Sequence, residues 1–224
     1  MLLLRFALFL LLPGTALLAT TLLLPTLTRR EDGALEAAAR AYGTTPTSVG
    51  ALKALGVAYH DLGVEGVRDA AARAVTTLER ARERDATDPE VTAYLGSART
   101  LVAREAWNPL EKLRGAREGG RLLDAAVAAA PDNVIVRILR ADTSLRLPAF
   151  FDRVHHARTD LERVLSLVQA APSRLPPVRL AEVHFKLGEA YRIDNDRARA
   201  RAQWAQAAAL APHSRWAQAA RRRL

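Results

Sequence analysis

Five histidines are the first candidates for chemistry: His60, His155, His156, His184 and His213. A zinc hydrolase needs two histidines one helical turn apart with a glutamate between them, and no H-E-x-x-H occurs. His155 and His156 are adjacent, so on a helix they project about 100° apart and do not form a chelating pair. They are read as surface or partly buried histidines. The chain has no cysteine, which removes a thiolate nucleophile, a cysteine-ligated zinc and a disulfide scaffold. No G-x-S-x-G marks a nucleophilic serine. Gly119-Gly120 precedes a helical pattern, but no strand leads into it and no G-x-G-x-x-G or Walker spacing follows. Glu79 and Glu83 share a helix face that reads as solvated. No catalytic residue, metal ligand or cofactor is therefore expected. An enzyme with a site in the loops around His155 and Arg153 is kept only as the last alternative.

The elements that would position any site are set by composition and period. Half of the 224 residues are hydrophobic and a quarter are charged, which excludes a wholly disordered chain. Lys and Arg number 33 against 24 acids, giving +9, and only Lys53, Lys112 and Lys186 are lysines. That balance favours an anionic partner. The acids are interleaved, however, as in Glu79, Arg80, Arg82, Glu83, Arg84 and Asp85, which is the pattern of a solvated helix face. An RNA- or polyanion-binding protein is accordingly the alternative reading.

Residues 1–30 stand apart. Between Arg5 and Arg29 lie 23 uncharged residues, mostly apolar, and a bilayer is crossed by ~20. The segment is a signal peptide or an uncleaved transmembrane anchor. Pro13-Gly14 divides it, and Ala19-Thr20-Thr21 and Thr26-Leu27-Thr28 offer only weak cleavage sites. Arg29 and Arg30 would draw the body toward the cytoplasm, while Arg5 pulls the other way. Export to the cell envelope is the expectation, periplasmic or membrane-anchored, with a cytoplasmic-facing anchor left open.

From Glu31 onward, apolar residues recur at three- and four-residue steps with little β-branched alternation, so the remainder is expected to be all-α. Near the C-terminus stands His184-x-x-Leu187-Gly188-x-x-Tyr191, then Ala200-x-x-x-Trp204-x-x-Ala207, then Pro212. Small Gly188 and Ala200 suit a close helix crossing, and Leu187, Tyr191 and Trp204 fill the space around it. The pattern recurs as Leu52-x-x-Leu55-Gly56-x-x-Tyr59 with Ala74-x-x-x-Leu78-x-x-Ala81. It recurs again as Leu95-Gly96, with Arg99 in the Tyr place, and Gly119-x-x-x-Leu123-x-x-Ala126 before Pro131. A weaker copy has Arg140-Ala141 in the Leu-Gly place and Ala157-x-x-x-Leu161-x-x-Val164. Ala34-x-x-x-Ala38-x-x-Ala41 with Pro46 reads as a lone second helix.

These residues resemble the tetratricopeptide repeat, whose signature is W-x2-L-G-x2-Y, A-x3-F and a closing P. The resemblance implies an α-solenoid of antiparallel helix pairs. About four units are expected, at 49–88, 89–133, 134–180 and 181–213, after a half-repeat at 32–48 and before a capping helix at 214–224 with Trp216 on its inner side. The Leu-Gly positions step by 40, 45 and 47 residues, against about 34 in the family. Longer helices or inserted loops must absorb the excess, near Leu62–Arg73, Arg104–Glu118, Arg146–Val154 and Ala170–Pro177.

In such arrays the first helix of each unit lines a concave groove, which the resemblance offers as the seat of a protein or peptide partner. The stripes beside the core positions are Lys53/Val57/His60, Ala93/Ser97/Thr100, Ile138/Asp142/Leu145 and Phe185/Glu189/Arg192. Two inserts add further candidates: Arg104, Trp107 and Asn108 in one, and Arg146 with Phe150, Phe151 and Arg153 in the other. The first expectation for Trp107, Phe150 and Phe151 is that they plug the gap opened by the inserts. The second is an aromatic and arginine patch that anchors a partner. The resemblance implies a non-catalytic interaction scaffold of a bacterial cell envelope. Membrane-tethered repeats of this kind occur in cytochrome c maturation and in pilus or outer-membrane assembly. Nucleic acid is not the expected partner, and the chain leaves its oligomeric state open.

Overall fold

The computed structural model describes residues 47–172 and 175–224, with Gly33, Ala37, Ala39 and Arg40. The hydrophobic segment 1–30 and most of the half-repeat expected at 32–48 lie outside the described residues. Among the described residues there are nine α-helices and no strand. They are α1 Val49–Val64, α2 Ala70–Arg84, α3 Pro89–Glu105, α4 Pro109–Ala129, α5 Val134–Arg146, α6 Val154–Ala170, α7 Pro177–Ile193, α8 Arg197–Leu210 and α9 Arg215–Arg221, with a 3-10 turn at Ala149–Phe151.

Local chemistry starts the helices where the turn residues stand. Asp88 accepts from the backbone N–H groups of Glu90 and Val91 ahead of Pro89. Asn108 accepts from Leu110 ahead of Pro109, and Asn133 accepts from Ile135 and Val136. Each places a side-chain oxygen on an orphan N–H of the first turn, and proline at the first helical position loses nothing by lacking one. Ser48 and Ser214 do the same for α1 and α9.

Consecutive helices pair as α1/α2, α3/α4, α5/α6 and α7/α8, with α9 on the last pair. The first helices also pack on one another in series: α1 on α3, α3 on α5, α5 on α7 and α7 on α9. The array is therefore an all-α solenoid with α1, α3, α5 and α7 along one side. Its core is segmented. One cluster gathers Leu52, Leu55, Tyr59, Ala74, Leu78 and Leu95. A second holds Ala93, Leu123, Ala126 and Val136, and a third holds Leu161, Val183, Leu187, Tyr191 and Trp204.

The long repeat steps are absorbed in two ways. Between Arg104 and Glu118 the chain breaks only at Ala106–Asn108 and otherwise extends α4 to 21 residues. Between Arg146 and Val154 it leaves the helix, makes the short turn and passes through Asp152 in the left-handed region (φ 50°).

The small residues sit at the crossings. A methyl group on Gly96 would meet the Gly119 carbonyl oxygen at 2.7 Å, one on Gly56 would meet Leu78 Cδ2 at 2.6 Å, and one on Gly188 would meet Trp204 Cδ1 at 2.5 Å. At Gly96 the obstacle is backbone, so Gly96→Ala must push α3 and α4 apart. Gly96→Ala is expected to lower stability by about 1–3 kcal/mol. Gly50→Ala, where nothing lies within 4 Å, should leave stability unchanged or raise it by up to about 1 kcal/mol. Thermal unfolding of the two variants checks the contrast.

Candidate functional site

The first-helix stripe does not stand open along its length. His60 of α1 is buried, and its Nε2 lies 2.9 Å from Ser97 Oγ of α3. Thr143 of α5 donates to that same Ser97 oxygen at 3.2 Å. The next link is ionic. Lys186 of α7 lies 2.7 Å from Asp142 of α5 and 2.6 Å from Glu182 on its own helix. A polar ladder thus crosses from α1 to α7. Ala93 and Ile138 are buried as well.

Each candidate residue has a definite place. Lys53 bridges Asp88 at 2.9 Å and Glu90 at 2.7 Å, tying α1 to the start of α3. Burial works to lower the Lys53 pKa, but Glu90 and Asp88 outweigh it and hold the ammonium above its ordinary value. Thr100 donates to the Ser97 carbonyl and packs toward Gly119. Arg104 reaches the Gly63 carbonyl at 3.1 Å. Asn108 caps α4. Arg146 pairs with Asp142 at 2.8 Å. Phe185 stacks at a tilt on Trp216 of α9, centroids 5.6 Å apart. Glu189 is shared by Arg192 and Arg223. On this side of the array the charges are largely neutralised within the chain.

Burial pushes the Asp142 pKa upward, but Lys186, Arg146 and His60 more than offset it, and the carboxyl stays below its ordinary value. His155 and His156, expected to diverge, lie with ring centroids 4.0 Å apart. Burial, with Arg153 and Arg140 nearby, lowers the His156 pKa against the pull of Asp124. Among the described residues no group of three or more metal-ligating side chains comes together.

Two ionic clusters were not read from the sequence. Arg99, in the repeat's Tyr position, bridges Glu79 of α2 at 2.6 Å and Glu118 of α4. Arg140, in the Leu position, forks onto Asp160 with bonds of 2.7 and 2.8 Å, and Arg137 adds one of 2.6 Å. Asp160 is 0% exposed. The signal was an arginine standing in an apolar slot, which requires a carboxylate on the facing helix.

The inserts form a second surface. The expectation that Trp107 and Phe150 plug the core is overturned: they are 90% and 75% exposed, and Leu110 is 74% exposed. The repeat core closes with small side chains at the α3/α4 crossing, so no gap is left for them. The rings of Phe150 and Phe151 lie with centroids 4.6 Å apart. Between this turn and α4 lies a cleft of about 900 Å³, lined among others by Leu110, Leu113, Arg114, Arg117, Arg121 and Phe150. Arg153 closes it, held by Asp124 of α4 at 3.0 and 2.6 Å.

No protein-family model matches this chain, and no curated protein matches it. Solved structures do. TTC0263, a thermophilic tetratricopeptide protein of Thermus thermophilus, is 21% identical with a TM-score of 0.64, over 94% of this chain and 96% of that one. MamA is 19% identical with a TM-score of 0.50, over 81% of this chain and 89% of that one. The fold is that of the tetratricopeptide repeat. At these identities the likeness concerns the tetratricopeptide architecture only. The polar ladder and the aromatic cleft are described from this chain's own side chains.

The depressed Asp142 pKa fixes a pH dependence. Its pairing contributes stability that is complete above the ordinary value of 3.8 and is lost as pH falls through the lower folded value. Asp142→Asn should therefore cost about 1–3 kcal/mol at neutral pH. The gap from the parent protein should narrow as the pH drops below 3.8, which thermal unfolding across pH reads directly.

Proposed function

We propose that this chain is a non-catalytic scaffold that binds a protein partner in the cell envelope and assists its assembly, secretion or maturation. The observation that carries the reading is the exposure of Trp107, Leu110 and Phe150 together, where the array departs from its repeat. Large apolar side chains held in water cost solvation free energy, and Trp and Arg dominate the energetics of protein interfaces. The tetratricopeptide architecture supports the same reading, since stacked helix pairs present extended binding surfaces. The envelope location rests on residues 1–30, which the sequence reads as an export signal or an anchor. Among the described residues no helix is long and apolar enough to cross a membrane.

The inner stripe contributes less to this reading than the inserts do. His60 and Ser97 are engaged with neighbouring helices, and Lys53, Asp142 and Glu189 are ion-paired. Arg104, Arg146 and Arg192 remain accessible at the margin and could extend a contact.

The test is a double variant, Trp107→Ala with Phe150→Ala, expressed as the full chain in its native host and recovered from the membrane fraction. The parent is expected to carry a stoichiometric protein partner. The variant should lose it while its far-UV circular dichroism and melting temperature stay the same. Retention of the partner by a folded variant refutes the reading.

A further inference from the structure

We propose that the cleft between α4 and the Ala149–Phe151 turn holds an acidic peptide segment of the partner, its carboxylates on Arg114, Arg117 and Arg121 and an apolar side chain against Phe150. This rests on the scaffold reading above and names the chemistry of its partner.

The argument begins with charge. Arg114, Arg117 and Arg121 line the cleft, and none makes an ion pair or hydrogen bond to a described residue. Other arginines are neutralised within the chain, Arg99 on Glu79 and Glu118, Arg140 on Asp160 and Arg153 on Asp124, whereas these three line a cleft beside exposed aromatic rings. The cleft arginines are spaced three and four apart, so they share one face of α4. They span about 10 Å along it at 1.5 Å per residue. An extended peptide rises about 3.3 Å per residue, so carboxylates three residues apart cover the same length. Each guanidinium presents a planar fork that fits a carboxylate with two parallel bonds.

The apolar half of the site lies beside this row. Phe150, Phe151, Leu110 and Leu113 line the same cleft, and the largely exposed Trp107 stands one residue before Asn108. Glu111 is the single acid in the lining. It repels carboxylates from the N-terminal end of α4, so the acidic residues belong toward Arg117 and Arg121.

Shape and charge select a peptide over other anions. A flat bilayer surface would leave a concave cleft of about 900 Å³ unfilled, whereas a peptide chain can enter it. A nucleic-acid strand carries a charge at every nucleotide and would meet Glu111 in the lining. A peptide can place a neutral residue opposite it.

The experiment uses the full chain and a short fluorescent peptide with Glu at every third residue and Phe among the residues between, read by anisotropy. A peptide with Gln in place of every Glu is the neutral probe. Single-stranded RNA and phosphatidylglycerol vesicles are the other anions. The variants are Arg114→Gln with Arg117→Gln and Arg121→Gln, and a control of equal charge change on α2, Arg73→Gln with Arg82→Gln and Arg84→Gln. The acidic peptide is expected to bind, about tenfold more weakly to the cleft variant and within about twofold unchanged to the control. The neutral peptide should bind about tenfold more weakly than the acidic one. Equal binding of the two peptides, equal loss in both variants, or cleft-dependent binding of RNA or vesicles without the acidic peptide overturns the proposal. If the acidic peptide fails while Trp107→Ala with Phe150→Ala still strips the cellular partner, the acidic chemistry is wrong and the scaffold reading survives. If the double variant keeps its partner, both fall.

Discussion

Helix pairs in this array can stack only where two backbones come nearly into contact. At the α3/α4 crossing Gly96 and Gly119 face each other, and a single methyl group on either would press on the other's carbonyl or on Thr100. Leu78 lies against Gly56 in the same way, and Trp204 against Gly188. This constraint sets the separation of the helices, and the separation sets everything packed around them. Leu123 and Ala126 meet Ala93 and Val136 in one core segment because the crossing is tight. Dispersion forces weaken steeply with distance, so even a small increase in spacing would loosen each segment.

Where the small-residue rule lapses, ion pairs take over. The third unit has Arg140 and Ala141 in place of leucine and glycine, and it is there that Asp160 is completely buried under Arg137 and Arg140. Arg140 also reaches Asp124 of α4, which Arg153 holds as well. One carboxylate thus joins α4, α5 and the start of α6. Burying a carboxylate such as Asp160 is costly unless its bonds are complete, and removing one of its partners leaves a charge stranded in the interior. The same cluster fixes Arg153 at the floor of the cleft, so the apparent defect in the repeat and the accessible surface beside it share one cause.

The all-α class and the helix pairs were legible because apolar residues at helical period and small residues at fixed offsets act locally. Leu187, Gly188, Tyr191, Ala200 and Trp204 all lie in or beside the core that their spacing implied. The surface was less legible. Whether His60 or Ser97 faces a partner depends on how closely α1 and α3 approach, a distance that no single helix encodes. Trp107 and Phe150 carry the composition of core residues, and composition left both an inward plug and an exposed patch open. Their exposure follows from the neighbouring crossing, which is already full. Arg99 and Arg140 were visible as misfits, but their carboxylate partners lie about 20 residues away on other helices.

The ladder from His60 through Ser97 to Thr143, continued by Asp142 and Lys186, behaves as a tie rod along one flank of the solenoid. Superhelical arrays can flex like a coiled spring when neighbouring repeats touch only through apolar patches that slide. Directional bonds between successive first helices resist that sliding, because stretching the spring would leave buried donors and acceptors unpaired. Curvature is then a property of the empty scaffold. A ligand meets a surface that is already shaped, and the entropy lost on association falls mainly on the ligand's side.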